Sequence, residues 1–288
     1  MYSSRLAPSP TGLLHLGHAR TFWTAFERAR AAQGRLWLRD EDLDPQRSRA
    51  EFSVAMKEDL RWLGIAWCGE VRQSERLPLY RTAMQQLLAA GLAYPCTCSR
   101  RDLQASTQAP HEDEDDEPVY NNRCRPQHTI GKDSSSRPER FRAERRDPCI
   151  SPVAATLSPH TNYRFRIPTT DPIRFRDLNA GPQSFTPGTV FGDFVVWRKD
   201  GLPSYQLACV VDDASMGITE VVRGRDLLKS TARQILLQRA LALPTPAYFH
   251  CDLLRDSAGV RLAKRHDALS LRALRERGLT PQQVRAMF

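Results

Sequence analysis

The apolar positions of this chain change their period several times, and each change marks an element. Residues 2–7, and "RLWLR" at 35–39 with Leu36 and Leu38 on one face, alternate with a period of two and predict short strands. Between them Phe22, Trp23, Phe26 and Ala29 recur at helical spacing and predict a helix over Ala19–Gln33. A second helix is predicted over Arg47–Leu63, its face made by Phe52, Met56, Leu60 and Leu63. A third is predicted over Glu75–Ala90, closed by Gly91 in the C-cap place. Further on, "YRFRIP", "IRFRDL", "DFVVWR" and "ITEVVRG" read as strands, with helices around Ser204–Val211 and over Asp226–Leu241. Strand–helix alternation of this kind predicts an open α/β sheet.

From about Tyr94 to Thr161 the periodicity lapses. An acidic run, "HEDEDDEP", is followed by a stretch rich in Ser, Pro and Arg, which reads as an insertion with mobile parts. Its acidic residues, Glu112–Glu117, are expected to be a solvated loop tip. A chain of 288 residues has room for one large domain with such an insertion, or for two small ones. No apolar run approaches the length of a membrane span and no signal-peptide core opens the chain, so a cytoplasmic protein without a membrane partner is expected. Lys and Arg outnumber Asp and Glu by 42 to 33, a net charge of +9 that favours a polyanionic partner, nucleic acid first. Charge scattered over the surface would give the same composition.

The seven cysteines are an odd number without a secretion signal, which argues against a disulfide framework. Three of them cluster: "YPCTCSR" supplies Cys96 and Cys98, and "VYNNRC" supplies Cys124. A C-x-C pair followed by a third thiol suits tetrahedral Zn²⁺, which prefers thiolates. The fourth position is open to Tyr120, His111 or His128, all near in sequence, while clustered buried thiols are the plain alternative. Cys149, Cys209 and Cys251 are expected to be unreactive, with no base beside them, and Trp62, Trp67 and Trp197 to be core or pocket wall.

The stretch from Arg5 to Arg20, "RLAPSPTGLLHLGHAR", holds two prolines, two glycines and two histidines between a strand and a helix. A plain connection has no use for imidazoles. A loop after the first strand of an open sheet lies at the carboxyl edge, where nucleotides bind. The helix that follows offers free N–H groups and its positive dipole end to phosphate. Gly17 lets the backbone come close, and His15 and His18 can donate to phosphoryl oxygens.

This stretch resembles the first signature of the class I aminoacyl-tRNA synthetases, and "APSPTG" narrows the resemblance to the glutamyl/glutaminyl branch. "RDEDLDP" at 39–45 resembles the second landmark of that branch, and "VVDDASMGITEVVRGRDLLKSTARQ" at 210–234 the third. "RLAKR" at 261–265 lies where the KMSKS loop belongs, with Arg261 and Ala263 in place of its first lysine and its serine. The resemblance covers nearly the whole chain outside the insertion. It implies a Rossmann-like nucleotide-binding fold with a zinc-containing insertion. The halves of the catalytic domain are then expected at 1–93 and 185–255, the insertion at 94–184, and the KMSKS-like loop with a short helical tail at 256–288.

The resemblance also implies roles. His15, Gly17, His18 and Lys264 would meet ATP, with Mg²⁺, and His15, His18 and Lys264 would carry the catalysis. Arg5, Leu6, Ala7, Pro8, Ser9, Glu41, Tyr205 and Arg223 would surround L-glutamate, an arginine gripping a carboxylate and Glu41 the ammonium group. Arg5 and Glu41 could also simply pair with each other. Only 23 residues follow Arg265, so no anticodon-binding domain is expected. The short glutamyl-Q group of the branch resembles the chain in this, and uses C-x-C and Y-x-x-x-C around one structural zinc, which implies Tyr120 beside Cys96, Cys98 and Cys124. That group implies a monomer which activates glutamate without tRNA and transfers it to queuosine in tRNA(Asp). A truncated glutamyl-tRNA synthetase and a silent tRNA-binding paralogue are the alternatives.

Overall fold

A computed structural model describes residues 1–98, 119–126, 157–254 and 270–288. In chain order the first elements are β1 (Ser3–Leu6), α1 (Leu16–Ala31), β2 (Arg35–Asp40), α2 (Ala50–Leu63), β3 (Gly69–Arg72), α3 (Leu77–Ala89) and β4 (Ala93–Cys96). Then follow β5 (Asn162–Phe165), β6 (Ile173–Asp177), β7 (Gly181–Phe185), β8 (Phe194–Trp197), α4 (Tyr205–Ser215) and β9 (Glu220–Gly224). The last are α5 (Leu228–Ala240), β10 (Ala247–Cys251), α6 (Leu271–Glu276) and α7 (Pro281–Arg285).

All four residues of β1 are buried, as a central strand covered on both faces requires. It pairs in parallel with β2, and β2 with β3. A second sheet runs β7-β6-β10-β9, parallel except for the antiparallel pair of β6 and β7. The two sheets meet where β1 faces β9. There the Thr219 N–H donates to Ser3 O at 2.9 Å, and the Ser4 hydroxyl donates to Glu220 O at 2.8 Å. Chain direction across the sheet therefore reverses between β1 and β9: β1 leads outward to β2, and β9 outward to β10. Such a switch point opens a crevice at the carboxyl ends of its strands. A third sheet, β4-β5-β8, is antiparallel and lies on the other core.

Among the described residues two large cores hold these layers, with a small third cluster of Tyr94, Cys96 and Tyr120 at the end of β4. One joins α1 and α2 to β1 and β2 through Leu6, Ala19, Phe22, Leu38 and Leu60, and the other joins α3, α4 and α5 through Tyr80, Met84, Leu207 and Leu236. Several expectations shift by a turn for identifiable reasons. Helix α1 begins at Leu16, earlier than expected, because His15 caps it. It buries Ala19, Phe22, Ala25 and Ala29, while Trp23 and Phe26 stay half-buried, so small residues let the helix approach the sheet. Helix α2 begins late, at Ala50, because the Asp44 carboxylate captures the N–H groups of Gln46 and Arg47 in a turn. Gly64, at φ 89°, ends α2 with bonds back to Arg61 and Leu60.

Asp59 is the exception on the buried face of α2. It is 1% exposed, and its Oδ2 has no hydrogen-bond partner among the described residues. Burial pushes its carboxyl up to about 6, against the pull of Arg272 and Arg275. The native state thus holds this proton more tightly than the unfolded chain, so stability falls as pH rises from about 4 to about 6. Asp59→Asn should accordingly stabilise the protein by on the order of 2–3 kcal/mol above pH 7 and by nothing near pH 4. Urea midpoints of the two proteins across that range check this.

Candidate active site

The crevice between β1 and β9 is a cavity of about 490 Å³. Its walls come from the chain just after β1, the first turn of α1, the start of α4, and the ends of β9 and β10. Arg5, Ala7, Pro8, Ser9, His15, Gly17, His18, Glu41, Tyr205 and Arg223 all line it. Leu6, expected among them, is fully buried in the neighbouring core and does not line the cavity. Lys264 lies outside the described residues. The chain leaves the described part at Leu254, on the cavity wall, and re-enters at Ser270, which bridges to His15.

The first turn of α1 fixes both imidazoles. The Gly17 N–H donates to His15 Nδ1 at 3.1 Å, and the His15 N–H donates to His18 Nδ1 at 3.4 Å, a reciprocal capping box. The rings stack with centroids 3.7 Å apart. Because Nδ1 accepts in each, the proton of the neutral ring sits on Nε2. The helix start thus presents two ring N–H donors beside its own dipole, a binding place for anions.

Below them lies a buried ionic network. Arg39 is completely buried; its Nε and Nη2 donate to Glu41 Oε1 at 3.1 and 2.9 Å, and its Nη1 donates to Asp213 Oδ1 at 2.6 Å. Arg5 Nε donates to the same Asp213 oxygen at 3.1 Å, and its Nη1 to the carbonyl of Val222 at 3.3 Å. Arg5 and Glu41 thus each have another partner. Burial alone would raise the Asp213 carboxyl, but Arg39 and Arg5 hold it below the usual range. A third buried carboxylate, Asp212, stands 3.8 Å from Arg39 Nε and accepts from Arg76 Nε at 2.7 Å, so among the described residues three guanidinium groups face three carboxylates here. Across the cavity Arg223 Nη1 donates to the Tyr205 hydroxyl at 3.3 Å, on a side chain 39% exposed and so open to a ligand.

Residues 2–288 match the family model described as the catalytic domain of class I tRNA synthetases (E and Q). The chain is 46% identical to the glutamyl-Q tRNA(Asp) synthetase of Symbiobacterium thermophilum, over 99% of this chain and 84% of that protein. It is 42% identical to the enzyme of that name from Rhodobacter capsulatus, over 99% of both chains. Among solved structures, a glutamate tRNA ligase from Elizabethkingia meningosepticum, in complex with its amino acid, superposes with a TM-score of 0.69 at 26% identity. That match covers 96% of this chain and 53% of the ligase, so this chain spans about half its length. The chain belongs to the class I tRNA synthetases of the glutamyl and glutaminyl branch. It is a ligase of the aminoacyl-tRNA synthetase type, and no helix among its described residues is long and apolar enough to cross a membrane.

In this synthetase a second cluster sits at the end of β4. The Sγ atoms of Cys96, Cys98 and Cys124 lie within 4.8 Å of one another, with Cys98 and Cys124 at 3.5 Å. The Tyr120 hydroxyl is 3.6 Å from both Cys96 and Cys98. A tetrahedral site with metal–sulfur bonds of about 2.3 Å has edges of roughly 3.8 Å, so the donor set fits a metal ion. Burial would raise the Cys124 thiol, but the Tyr120 hydroxyl and Thr97 bring it down to about 6, which favours the thiolate. Arg164, 4% exposed, donates to Cys96 Sγ at 3.2 Å and lies 3.9 Å over the Tyr120 ring, a cation facing the sulfur cluster. Gly192 is required beside it: a Cβ there would stand 2.9 Å from the Tyr120 backbone nitrogen. His111 and His128 lie outside the described residues.

Several residues of the site escape a reading by pattern. Arg39, Asp213 and Cys209 carry the network; Arg39 and Asp213 fall inside the landmarks "RDEDLDP" and "VVDDASM" without a role being read for them, and charge inside apolar runs, "LWLRD" and "CVVDD", is the further signal. Cys209 was expected to have no base beside it, yet its thiol donates to Glu41 Oε1 at 3.5 Å. Burial and then Glu41 push that thiol well above its ordinary range, so it stays protonated. Removing Arg39 leaves Glu41, Asp212 and Asp213 buried close together, with Arg5 and Arg76 the described cations that remain to offset them. Arg39→Met should cost about 3–5 kcal/mol of stability in urea unfolding, the usual effect of breaking a buried pair from one side.

Proposed function

We propose that this synthetase activates L-glutamate with ATP to glutamyl adenylate, without tRNA, and transfers the glutamate to queuosine in tRNA(Asp). What carries the reading is its identity to relatives named for that reaction, over nearly their whole length in the second case. The residues of the cavity support the first step. In that step a carboxylate oxygen of glutamate attacks the α-phosphorus of ATP, the bond to the bridging oxygen breaks, and pyrophosphate leaves. No covalent enzyme intermediate is needed, so the protein contributes positioning and charge stabilisation.

His15 and His18 donate hydrogen bonds from Nε2 to the phosphates, with Gly17 giving the backbone room. Lys264 neutralises the departing pyrophosphate; the described residues on either side of it in sequence are Leu254 on the cavity wall and Ser270, which bridges to His15. Arg5, Arg223, Glu41 and Tyr205, with Ala7, Pro8 and Ser9, hold glutamate by its carboxylates and its ammonium group. Mg²⁺ accompanies ATP and offsets phosphate charge. In the second step a hydroxyl of the queuosine ring attacks the activated carbonyl and AMP leaves.

Zinc is the metal we assign to Cys96, Cys98, Tyr120 and Cys124, in a structural role. Thiolate-rich tetrahedral sets favour it, and it would pin the 94–184 insertion that, in this reading, faces the RNA. The divisions at 93/94, 184/185 and 255/256 and a monomeric chain belong to the same proposal.

Labelled glutamate should be transferred to queuosine-containing tRNA(Asp), but neither to the same tRNA lacking queuosine nor to the 3′ end of tRNA(Glu). Label on the 3′-terminal adenosine of tRNA(Glu) would instead favour a glutamyl-tRNA synthetase. The purified chain should hold about one zinc, and Cys98→Ser should release it. Metal analysis of the two proteins checks this, and a metal-free wild type would sink the ligand set.

A further inference from the structure

Arg223 is 5% exposed, and its guanidinium is held by four neutral groups. Nη1 donates to Gln234 Oε1 at 2.8 Å and to the Tyr205 hydroxyl at 3.3 Å, Nη2 to Thr231 Oγ1 at 2.7 Å, and Nε to His250 Nε2 at 3.1 Å. Its face is turned to the Tyr248 ring, 5.5 Å away. Arg5 and Arg39, in contrast, are hydrogen-bonded to carboxylates. Among the described residues the hydrogen-bond partners of Arg223 are all neutral, with the Asp213 charge near but not bonded to it, so the cation keeps attraction for an anion that has yet to arrive.

That state depends on His250. To accept from Arg223 Nε, its Nε2 must carry no proton, and the ring proton must then sit on Nδ1. Asp177 Oδ2 lies 2.6 Å from Nδ1, and both side chains are fully buried. The Asp177 carboxylate is itself fixed, its Oδ1 accepting the N–H groups of Ala180 at 2.6 Å and Asn179 at 3.0 Å. Burial and the neighbouring Arg223 keep the imidazole neutral, pushing His250 down to about 4, so no second positive charge stands behind the guanidinium.

We infer that Asp177 and His250 are positioning residues: a buried relay running from β6 through β10 to β9 holds Arg223, hydrogen-bonded to neutral groups, facing the cavity for a carboxylate of glutamate. The inference rests on the glutamate pocket proposed above, and the relay can fail while that pocket stands. A relay of this kind acts on glutamate affinity and leaves ATP affinity alone.

Two substitutions of one residue test it. His250→Asn keeps an amide N–H near the place of Nδ1 for Asp177 but removes the acceptor for Arg223. His250→Gln puts an amide oxygen near the place of Nε2 and restores that acceptor. By calorimetric titration of the full chain, His250→Asn should weaken glutamate binding about tenfold, the worth of one hydrogen bond to a charged group. His250→Gln should recover most of the loss, and the ATP dissociation constant should stay put in both. Should His250→Asn not fold, Asp177→Asn should still weaken glutamate binding about threefold, because the neutral partner holds the ring less firmly. Unchanged glutamate affinity in the folded variant, or equal losses in Asn and Gln variants, overturns the relay. Arg223→Gln serves as the reference: a loss of glutamate binding there, with none in the His250 variants, would discard the relay and keep the pocket. Full binding by Arg223→Gln would remove the pocket reading itself.

Discussion

A guanidinium removed entirely from water must be neutralised where it lies, and Arg39 sets this condition for the rest of the molecule. One of its carboxylate partners, Glu41, is two residues away on the same strand end, while the other, Asp213, comes from α4, 174 positions along the chain. Asp213 is shared with Arg5 on β1, so one aspartate ties β1 and β2 to α4. The floor of the cavity therefore exists only once both cores have come together. Apolar packing holds each core, but it is non-directional, and the ion pairs fix how the strand ends stand to one another.

The cavity has two electrostatic halves as a result. On one side, charges are balanced within the protein, and Arg5 and Glu41 are held rigid by partners of opposite sign. On the other, Arg223 is held equally firmly by neutral groups, and its charge is left to attract. The helix start adds a third element, in which His15 and His18 cap α1 through Nδ1 and keep Nε2 as donor. One pair of hydrogen bonds thus secures both the helix terminus and the tautomers of its rings. The thiol cluster follows the same logic on the third sheet, with Arg164 as its buried cation.

Much of this is legible in the order of residues. Strand–helix alternation, the position of the His-Leu-Gly-His stretch after the first strand, and the C-x-C pair are all local spacings, and the third thiol follows 26 positions after Cys98. Where a local pattern misplaces a helix end, a nearby side chain has intervened: Asp44 delays α2, and His15 advances α1. Strands β3 and β7 give no clear pattern because "GEVR" and "GPQSF" each offer a single large apolar residue and owe their conformation to the strands beside them.

By itself, then, the chain determined the elements, the anion-binding turn and the C-x-C pair, since helix caps, strand alternation and C-x-C spacing depend on contacts a few residues apart. Only the tertiary structure decided which charges meet. It brought Asp213 to Arg39 and Arg5, put Glu41 beside Cys209, and lined Asp177, His250 and Arg223 up across three neighbouring strands. Those partners are separated by tens to hundreds of residues, and no periodicity records them. Their pairing follows from the order in which strands join the sheet and from the need of each buried polar group to find a partner there.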